Sequence, residues 1–498
     1  MANDFKVLFI YPNTMMATLL PLHFPLLSAC LKEKGFEVKL FDTTCYKTEE
    51  KSFEEKKVEL LMLKKFDLKD MEIKFKKTNI YKDLQELVEN FKPDLIGINL
   101  LEDTYELGLN LLDVIKDYKI SVIAGGVFTN FNADKMIQEK NINIVCIGEG
   151  EHAIIELCEA MRGKKDFSNI KNLWVKKEDK TIIKNLLRPL VNLDDLPFLD
   201  FDIFESNRFG RPMHGKMFRM LHVEFQRGCP FGCTYCEAPA IRKMYKDVGF
   251  NNYFRQKSIE RFIAELKYLK EKYKPDYIYF SAESFLTIKI KELRKLVKMY
   301  KSEIALPFWC QSRPELITDE KIAMLKDMGV ADMQFGIEHG NEEFRARILN
   351  RHCTNKKILE GFRIVEKYKI PYTVNNIIGF PEETRGLIFD TIELNKLINP
   401  KTMNCNLFTP YTGTYLRQYC IEKAYIKEDA KTQQCLDGAD YNYKNITKKE
   451  LKGLQRTFSL YVRLPDTEYK RIKRAEKFDD KGDKIFKELS KLYCEKYF

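Results

Sequence analysis

Short apolar runs alternate with amphipathic stretches along most of this chain. Residues 5–10, 36–41, 95–99, 122–124 and 143–147 read as buried strands. Between them, residues 22–34 (stopped by Gly35), 105–118, 131–140 and 151–162 carry helical spacing. Repeated strand–helix units predict an α/β fold that opens with a doubly wound, parallel, Rossmann-like sheet over residues 1–162. Ligands of such sheets bind at the carboxyl ends of the strands. Those ends read Tyr11-Pro12-Asn13, Asn99-Leu100, Gly125-Gly126-Val127 and Gly148-Glu149-Gly150-Glu151. Their glycines let a backbone approach a large flat ligand closely.

Residues 46–82 break the rhythm with Lys and Glu and read as a charged helical insertion or a mobile loop. Residues 163–217 form a connector, with alternation at 174–184 that suggests a hairpin; Pro189, Pro197 and Pro212 discourage regular structure. The alternation resumes at 218, where a strand over 218–226 runs into a cysteine-rich loop. Further strands are predicted at 277–280, 308–311, 332–336, 372–378 and 402–408, separated by helices. Six strand–helix units predict a partial (β/α)6 TIM-type barrel over 218–415, with chemistry at the carboxyl ends of its strands. Residues 416–498 read as mainly helical and basic, closing the open side of the barrel.

The length of 498 residues calls for two or three domains. A content of 44% hydrophobic and 32% charged residues describes a soluble globular chain without a run long enough to span a bilayer. The start shows no secretory signal, and thirteen scattered cysteines point to a reducing cytoplasm. The net charge of +11 rests largely on lysines such as Lys470, Lys473 and Lys477. Without interleaved aromatic residues it reads as a solvated surface rather than a nucleic-acid site.

The densest chemistry is Gly228-Cys229-Pro230-Phe231-Gly232-Cys233-Thr234-Tyr235-Cys236. Three thiolates in eight residues can hold three corners of a 4Fe–4S cluster and leave one iron open for chemistry. Structural zinc is the alternative. It prefers four ligands in paired elements, and no second pair follows within forty residues; only His214 and His222, upstream, offer themselves as a fourth. Cys405, Cys420 and Cys435 lack the close pairs of an auxiliary cluster.

This C-x3-C-x2-C loop resembles that of the radical S-adenosylmethionine (SAM) enzymes. The resemblance implies that SAM chelates the open iron through its methionyl group and is cleaved reductively to a 5'-deoxyadenosyl radical. Tyr235 then stands where the family has an aromatic residue near the adenine. Later strand ends resemble family segments too: Ala282-Glu283-Ser284-Phe285, Cys310-Gln311-Ser312-Arg313-Pro314, Gly336-Ile337-Glu338-His339-Gly340, and Gly379-Phe380-Pro381-Glu382-Glu383-Thr384. By that likeness Tyr235, Glu283, Ser312, Arg313 and Glu338 would contact SAM. Each has a plainer reading: Glu283 as a helix cap, Glu338 as the partner of Arg345 or Arg347. Cys310 and His339 are open to a substrate-side role.

Residues 1–162 resemble the cobalamin-binding domain of one branch of the same family. On that likeness Tyr11, Pro12, Asn13, Gly125, Gly126, Gly148, Glu149 and Gly150 would contact cobalamin. The Asp-x-His-x-x-Gly loop that supplies an axial histidine in many cobalamin proteins is missing, and His23 reads as a capping or packing residue. The resemblance implies a cobalamin-dependent methyltransferase acting on an unactivated carbon of a small molecule, with a flavodoxin- or ferredoxin-type electron donor. A cyclase or rearrangement enzyme on the same plan is the alternative, and a non-enzymatic cobalamin or nucleotide sensor a third.

Overall fold

A computed structural model describes residues 5–17, 19–68, 75–438 and 441–498. The chain divides into two compact units. One takes Met1–Phe53, Glu72–Phe209 and Ala240–Lys257; the other takes Glu54–Met71, Gly210–Pro239 and Ser258–Phe498.

The first unit holds a seven-stranded sheet. Its strands are β1 (Lys6–Tyr11), β2 (Glu37–Asp42), β3 (Leu95–Asn99), β4 (Ser121–Gly125), β5 (Ile144–Cys146), β6 (Leu173–Lys176) and β7 (Ile182–Lys184). The order is β2-β1-β3-β4-β5-β6-β7. The first five are parallel; β6 and β7 add antiparallel, which makes the alternation at 174–184 a hairpin joined to the sheet edge. Central β1 is covered on both faces, so its run Val7, Leu8, Phe9, Ile10 is apolar without alternation. The strand order reverses between β1 and β3, which opens a crevice at their carboxyl ends.

Residues 163–209 fold into this same unit. Asp200 accepts from Ser28 Oγ at 2.6 Å and Lys32 Nζ at 2.7 Å, and Arg208 Nε donates to Asp42 at 2.6 Å. These bonds tie the connector to the sheet's first helix and to β2.

The second unit is a curled half-barrel. Its strands are β8 (Gly210–Met213), β9 (Lys216–Glu224), β12 (Tyr277–Ser281), β13 (Phe308–Ser312), β14 (Val330–Glu338), β15 (Tyr372–Ile378) and β16 (Thr402–Leu407). The two-residue strands β10 (Gln226–Arg227) and β11 (Arg255–Gln256) stand apart from this sheet. The order β16-β15-β14-β13-β12-β9-β8 contains six parallel strands, as the (β/α)6 pattern predicts, plus antiparallel β8. Pro212 sits in β8, an edge strand, where a missing N–H costs no ladder bond.

The helices begin where the sequence signals them. Ser258, Thr318, Thr354, Thr384 and Thr414 each accept a backbone N–H in the first turn of the following helix. Each cap contributes about 1 kcal/mol. Outward-facing rings fill the space between strands and helices: Phe280 lies 5.3 Å from Phe262 and 4.6 Å from Phe308. At the amino-terminal end the β8–β9 hairpin closes the barrel, with Met213 and Phe218 packed on Met220, Tyr277, Tyr279 and Trp309. There His214 Nε2 lies 2.7 Å from buried Asp332 Oδ2.

The C-terminal region is helical at Tyr415–Glu422, Lys448–Arg463, Tyr469–Ala475 and Asp480–Tyr497, with no helix in the described part of 423–446. Helix Lys448–Arg463 packs on β16 and on helix Arg385–Ile398, and Gln455 Nε2 donates to Cys405 O at 3.3 Å. It therefore covers the outer face of the last strand. The charged insertion contains helix Phe53–Glu59, and its buried Leu61 and Met62 belong to this second unit.

Candidate functional site

Strand β9 delivers the chain to the mouth of the half-barrel, and Gly228 turns it at φ +83°, a left-handed conformation that suits glycine. The cysteine loop is pinned from outside. Thr234 Oγ1 donates to Ile348 O at 2.6 Å, Asn350 Nδ2 to Gly232 O at 2.8 Å, and Leu416 N to Thr234 O at 2.9 Å. Cys233 is buried, and Cys229 and Cys236 are half-buried. Burial pushes the Cys236 thiol up to about 12 and raises that of Cys229. These thiols ionise only against a nearby positive charge such as a metal. One cation is already present: Arg313 Nη1 lies 3.4 Å from Cys233 Sγ, with its guanidinium 3.9 Å above the Phe231 ring. Among the described residues no three His, Cys, Asp or Glu side chains are gathered closely enough to share a single metal ion.

Beside this loop stands a buried polar cluster. Arg351 donates to Gly336 O at 2.6 Å, to the Tyr235 hydroxyl at 3.1 Å and to Glu338 Oε1 at 3.3 Å. Arg351, rather than Arg345 or Arg347, is the partner of Glu338. Burial raises the Glu338 pKa and Arg351 opposes that rise; burial and the Glu338 charge raise Tyr235. Glu338 itself adopts φ +67° at the end of β14, a conformation uncommon outside glycine, and this aims its carboxylate off the strand line. Glu283 projects at the end of β12, open to solvent. The protein around it and the Glu224 carboxylate push its pKa up. Ser312 turns elsewhere: its hydroxyl lies 3.1 Å from Ser284 Oγ and accepts from Leu286 N at 3.3 Å. The structure thus brings Tyr235, Arg313 and Glu338 together around the cysteine loop through Arg351 and Cys233, while Ser312 is committed to the neighbouring loop.

Arg351 and Glu383 play parts the sequence reading did not assign. Glu383 Oε2 accepts from Phe380 N at 3.1 Å and from Gly379 N. Its Oε1 lies 3.0 Å from His339 Nε2, and both side chains are inaccessible to solvent. His339 Nδ1 accepts from Asn341 N at 3.0 Å, which leaves the proton on Nε2. His339 is therefore a buried strut, not a substrate-side group. Cys310 is fully buried on the helix-facing side of β13, its pKa pushed up by burial. A sequence offers no signal for Arg351 or the strut, because their partners lie far apart along the chain.

In the first unit the adjacent ends of β1, β3, β4 and β5 carry Tyr11, Asn99, Gly125 and Gly148. Asn13 Nδ2 donates to Thr44 Oγ1 at 2.7 Å and fixes the first of these loops. Gly126 has φ +114°, and a Cβ there would lie 2.4 Å from Asn99 Oδ1, so the turn admits only glycine. A Cβ at Gly125 would meet nothing nearer than 4.0 Å. Beside Pro12, buried Tyr11 packs edge-on to the His23 and Phe24 rings. Glu149 is used internally: it accepts from Val191 N at 3.0 Å and pairs with Arg255, while the Tyr245 hydroxyl accepts from Glu149 N at 2.8 Å. Gly150 opens helix Glu151–Arg162. Of this unit's two histidines, His23 packs against those rings, and His152 is exposed.

Comparison with known proteins agrees with both units. Residues 14–158 match the B12 binding domain, and residues 223–394 match the radical SAM superfamily. An uncharacterized methyltransferase of Pyrococcus horikoshii is 25% identical over 345 residues, covering 68% of this chain and 72% of its own length. The anaerobic magnesium-protoporphyrin IX monomethyl ester cyclase of Rubrivivax gelatinosus is 20% identical over 351 residues, covering 69% of this chain and 61% of its own. Among solved structures, the radical SAM methyltransferase TsrM from Kitasatospora setae, with cobalamin and a 4Fe–4S cluster bound, superimposes with a TM-score of 0.64 at 16% identity, over 84% of this chain and 75% of that one. The cobalamin-dependent radical SAM enzyme OxsB, with aqua-cobalamin and SAM bound, gives 0.68 at 15% identity, over 98% and 71%. The chain belongs to the radical SAM superfamily and carries a B12-binding domain ahead of its radical SAM domain.

Proposed function

We propose that this protein is a cobalamin-dependent radical SAM methyltransferase acting on an unactivated carbon of a small molecule. The observation that carries the reading is the cysteine loop at the mouth of the half-barrel, with Arg313 at Cys233 and the Arg351–Glu338–Tyr235 cluster beside it.

The residues present fit the groups this reading needs. Cys229, Cys233 and Cys236 would hold a 4Fe–4S cluster; the burial that raises the Cys229 and Cys236 thiols asks for a compensating positive centre, and Arg313, itself paired with Glu315, lies 3.4 Å from Cys233 Sγ. Glu338 and Glu283 offer carboxylate oxygens to the ammonium and ribose hydroxyls of SAM. Arg351 holds Glu338 in place and opposes the rise in pKa that burial imposes on it. Tyr235 closes the site 6.0 Å from Phe380. In the first unit Gly125, where a Cβ would meet nothing nearer than 4.0 Å, would present bare backbone to the face of a corrin beside the ends of β1 and β5. When bound, the cluster and SAM supply hydrogen abstraction, and cobalamin supplies the methyl group. The protein's part is to fix these partners, exclude water and accept electrons from a flavodoxin- or ferredoxin-type donor.

Anaerobic reconstitution with iron, sulfide, hydroxocobalamin, SAM and a reductant tests the proposal. Cobalamin should co-purify, and both 5'-deoxyadenosine and S-adenosylhomocysteine should form. Failure to bind cobalamin sinks it. The similarity to the Rubrivivax cyclase favours a second reading, a cyclisation without methyl transfer, which would yield 5'-deoxyadenosine and no S-adenosylhomocysteine.

A further inference from the structure

The inner face of β14–β16 carries an uncharged polar wall that the cysteine loop and its carboxylates do not use. Side chains alternate across a strand. On β15, Val374, Asn376 and Ile378 are fully buried and face the helices; Asn376 Nδ2 bonds to Asn395 Oδ1 on helix Arg385–Ile398 at 3.2 Å. On β16, Met403, Cys405 and Leu407 do the same. The intervening Thr373, Asn375, Ile377, Thr402, Asn404 and Asn406 therefore line the barrel interior, polar except at Ile377, which pairs with Asn406 at the carboxyl end. With Gln334 of β14 they stay only half-buried, unlike their neighbours on the outer face.

Parallel register turns these residues into rungs. Gln334 pairs with Thr373, Thr373 with Thr402, and Asn375 with Asn404. Asn404 Nδ2 donates to Asn375 Oδ1 at 2.7 Å, and the Thr373 and Thr402 hydroxyls lie 2.6 Å apart. The rest of their hydrogen-bonding capacity points inward. Among the described residues, the Gln334 and Asn406 side chains make no recorded hydrogen bond. Asparagine is disfavoured in strands, and a half-buried amide without a protein partner keeps its donors and acceptor for water or a ligand. Four amide side chains on one inner face, Gln334, Asn375, Asn404 and Asn406, make sense where a ligand completes their bonds.

We infer that this wall is the substrate subsite, and that the substrate meets it with an uncharged surface rich in hydroxyl or amide groups. This rests on the function proposed above. None of these positions carries a charge, and the carboxylate further along β14, Glu338, is already paired with Arg351, so the wall itself has nothing to match a carboxylate, phosphate or ammonium. A hydrocarbon surface would leave its amides unpaired, and a site built to bond hydroxyls strongly rejects a partner lacking them.

Saturation-transfer NMR on the reconstituted holoenzyme tests this with N-acetylglucosamine and uridine as polar probes and dispersed squalene as the apolar one. At least one polar probe should bind and squalene should not. Asn406→Leu, which breaks no recorded bond and so spares the fold, should weaken polar binding about tenfold; Asn404→Leu should do the same. Squalene binding, silence from both polar probes, or unchanged affinity in both variants would overturn the inference. So would an equal loss of SAM affinity in the variants, which would assign the wall to the cofactor. A wild-type protein that binds no cobalamin and cleaves no SAM would instead overturn the function, whatever the probes do.

Discussion

His339 Nε2 lies 3.0 Å from Glu383 Oε1, with both side chains inaccessible to solvent. The pair joins the end of β14, one residue after Glu338, to the Gly379–Thr384 turn, whose amides the same carboxylate caps.

Glu383→Ala should therefore destabilise the second unit by about 3 kcal/mol, because it leaves the Gly379 and Phe380 N–H groups and His339 Nε2 unpartnered. Glu383→Gln keeps an oxygen acceptor and should cost about 1 kcal/mol. Denaturant unfolding of the two variants checks the order; equal losses would mean the turn does not need the acceptor.

Arg351→Met should cost about 3–5 kcal/mol, since it strands the Glu338 carboxylate in a buried site. Its SAM affinity, read by calorimetric titration, should fall with it. Arg351→Lys should restore part of the stability but less of the affinity, as a lysine cannot reach Gly336 O, Tyr235 and Glu338 from one planar fork.

Cys229→Ala, Cys233→Ala and Cys236→Ala should each lose the visible absorbance and most of the iron of the reconstituted protein. Cys310→Ala, altered on the helix-facing side of β13, should keep both. Iron analysis decides; a Cys233→Ala protein with its full iron would disqualify the loop.

The His23 ring has its pKa pushed down to about 4 by burial, and its Nε2 has no hydrogen-bond partner. The folded protein then binds fewer protons at this site than the unfolded chain. The stability at stake is complete above the ordinary histidine value of about 6.5 and is lost as pH falls from there towards about 4. His23→Phe, which preserves the packing on Tyr11 and Phe24, should flatten that slope relative to wild type. Parallel slopes in thermal melts across this range would refute it.

No helix among the described residues is long and apolar enough to cross a membrane.

Much of this was legible locally. Apolar period, threonine and serine caps and the C-x3-C-x2-C spacing act over a few residues, so they locate strands, helix starts and the cysteine loop from the chain alone. The hairpin at Met213 and Phe218 escaped notice because Pro212 reads as a breaker until β8 is known to be an edge. Ser312 looked available at a strand end, but its bond to Ser284 depends on which way the strand faces.

What the chain could not reveal by itself is which distant groups meet. Arg351 reaches Tyr235 across 116 positions and Glu383 reaches His339 across 44, and neither separation leaves a periodic trace. Asn375 and Asn404 are equally silent until parallel register sets them side by side on the inner face. Residue type and spacing determine local conformation because their forces act within a turn or two. The pairing of buried charges and amides is decided only when the sheet closes, since that is when water is expelled and each polar group must find its partner within the protein.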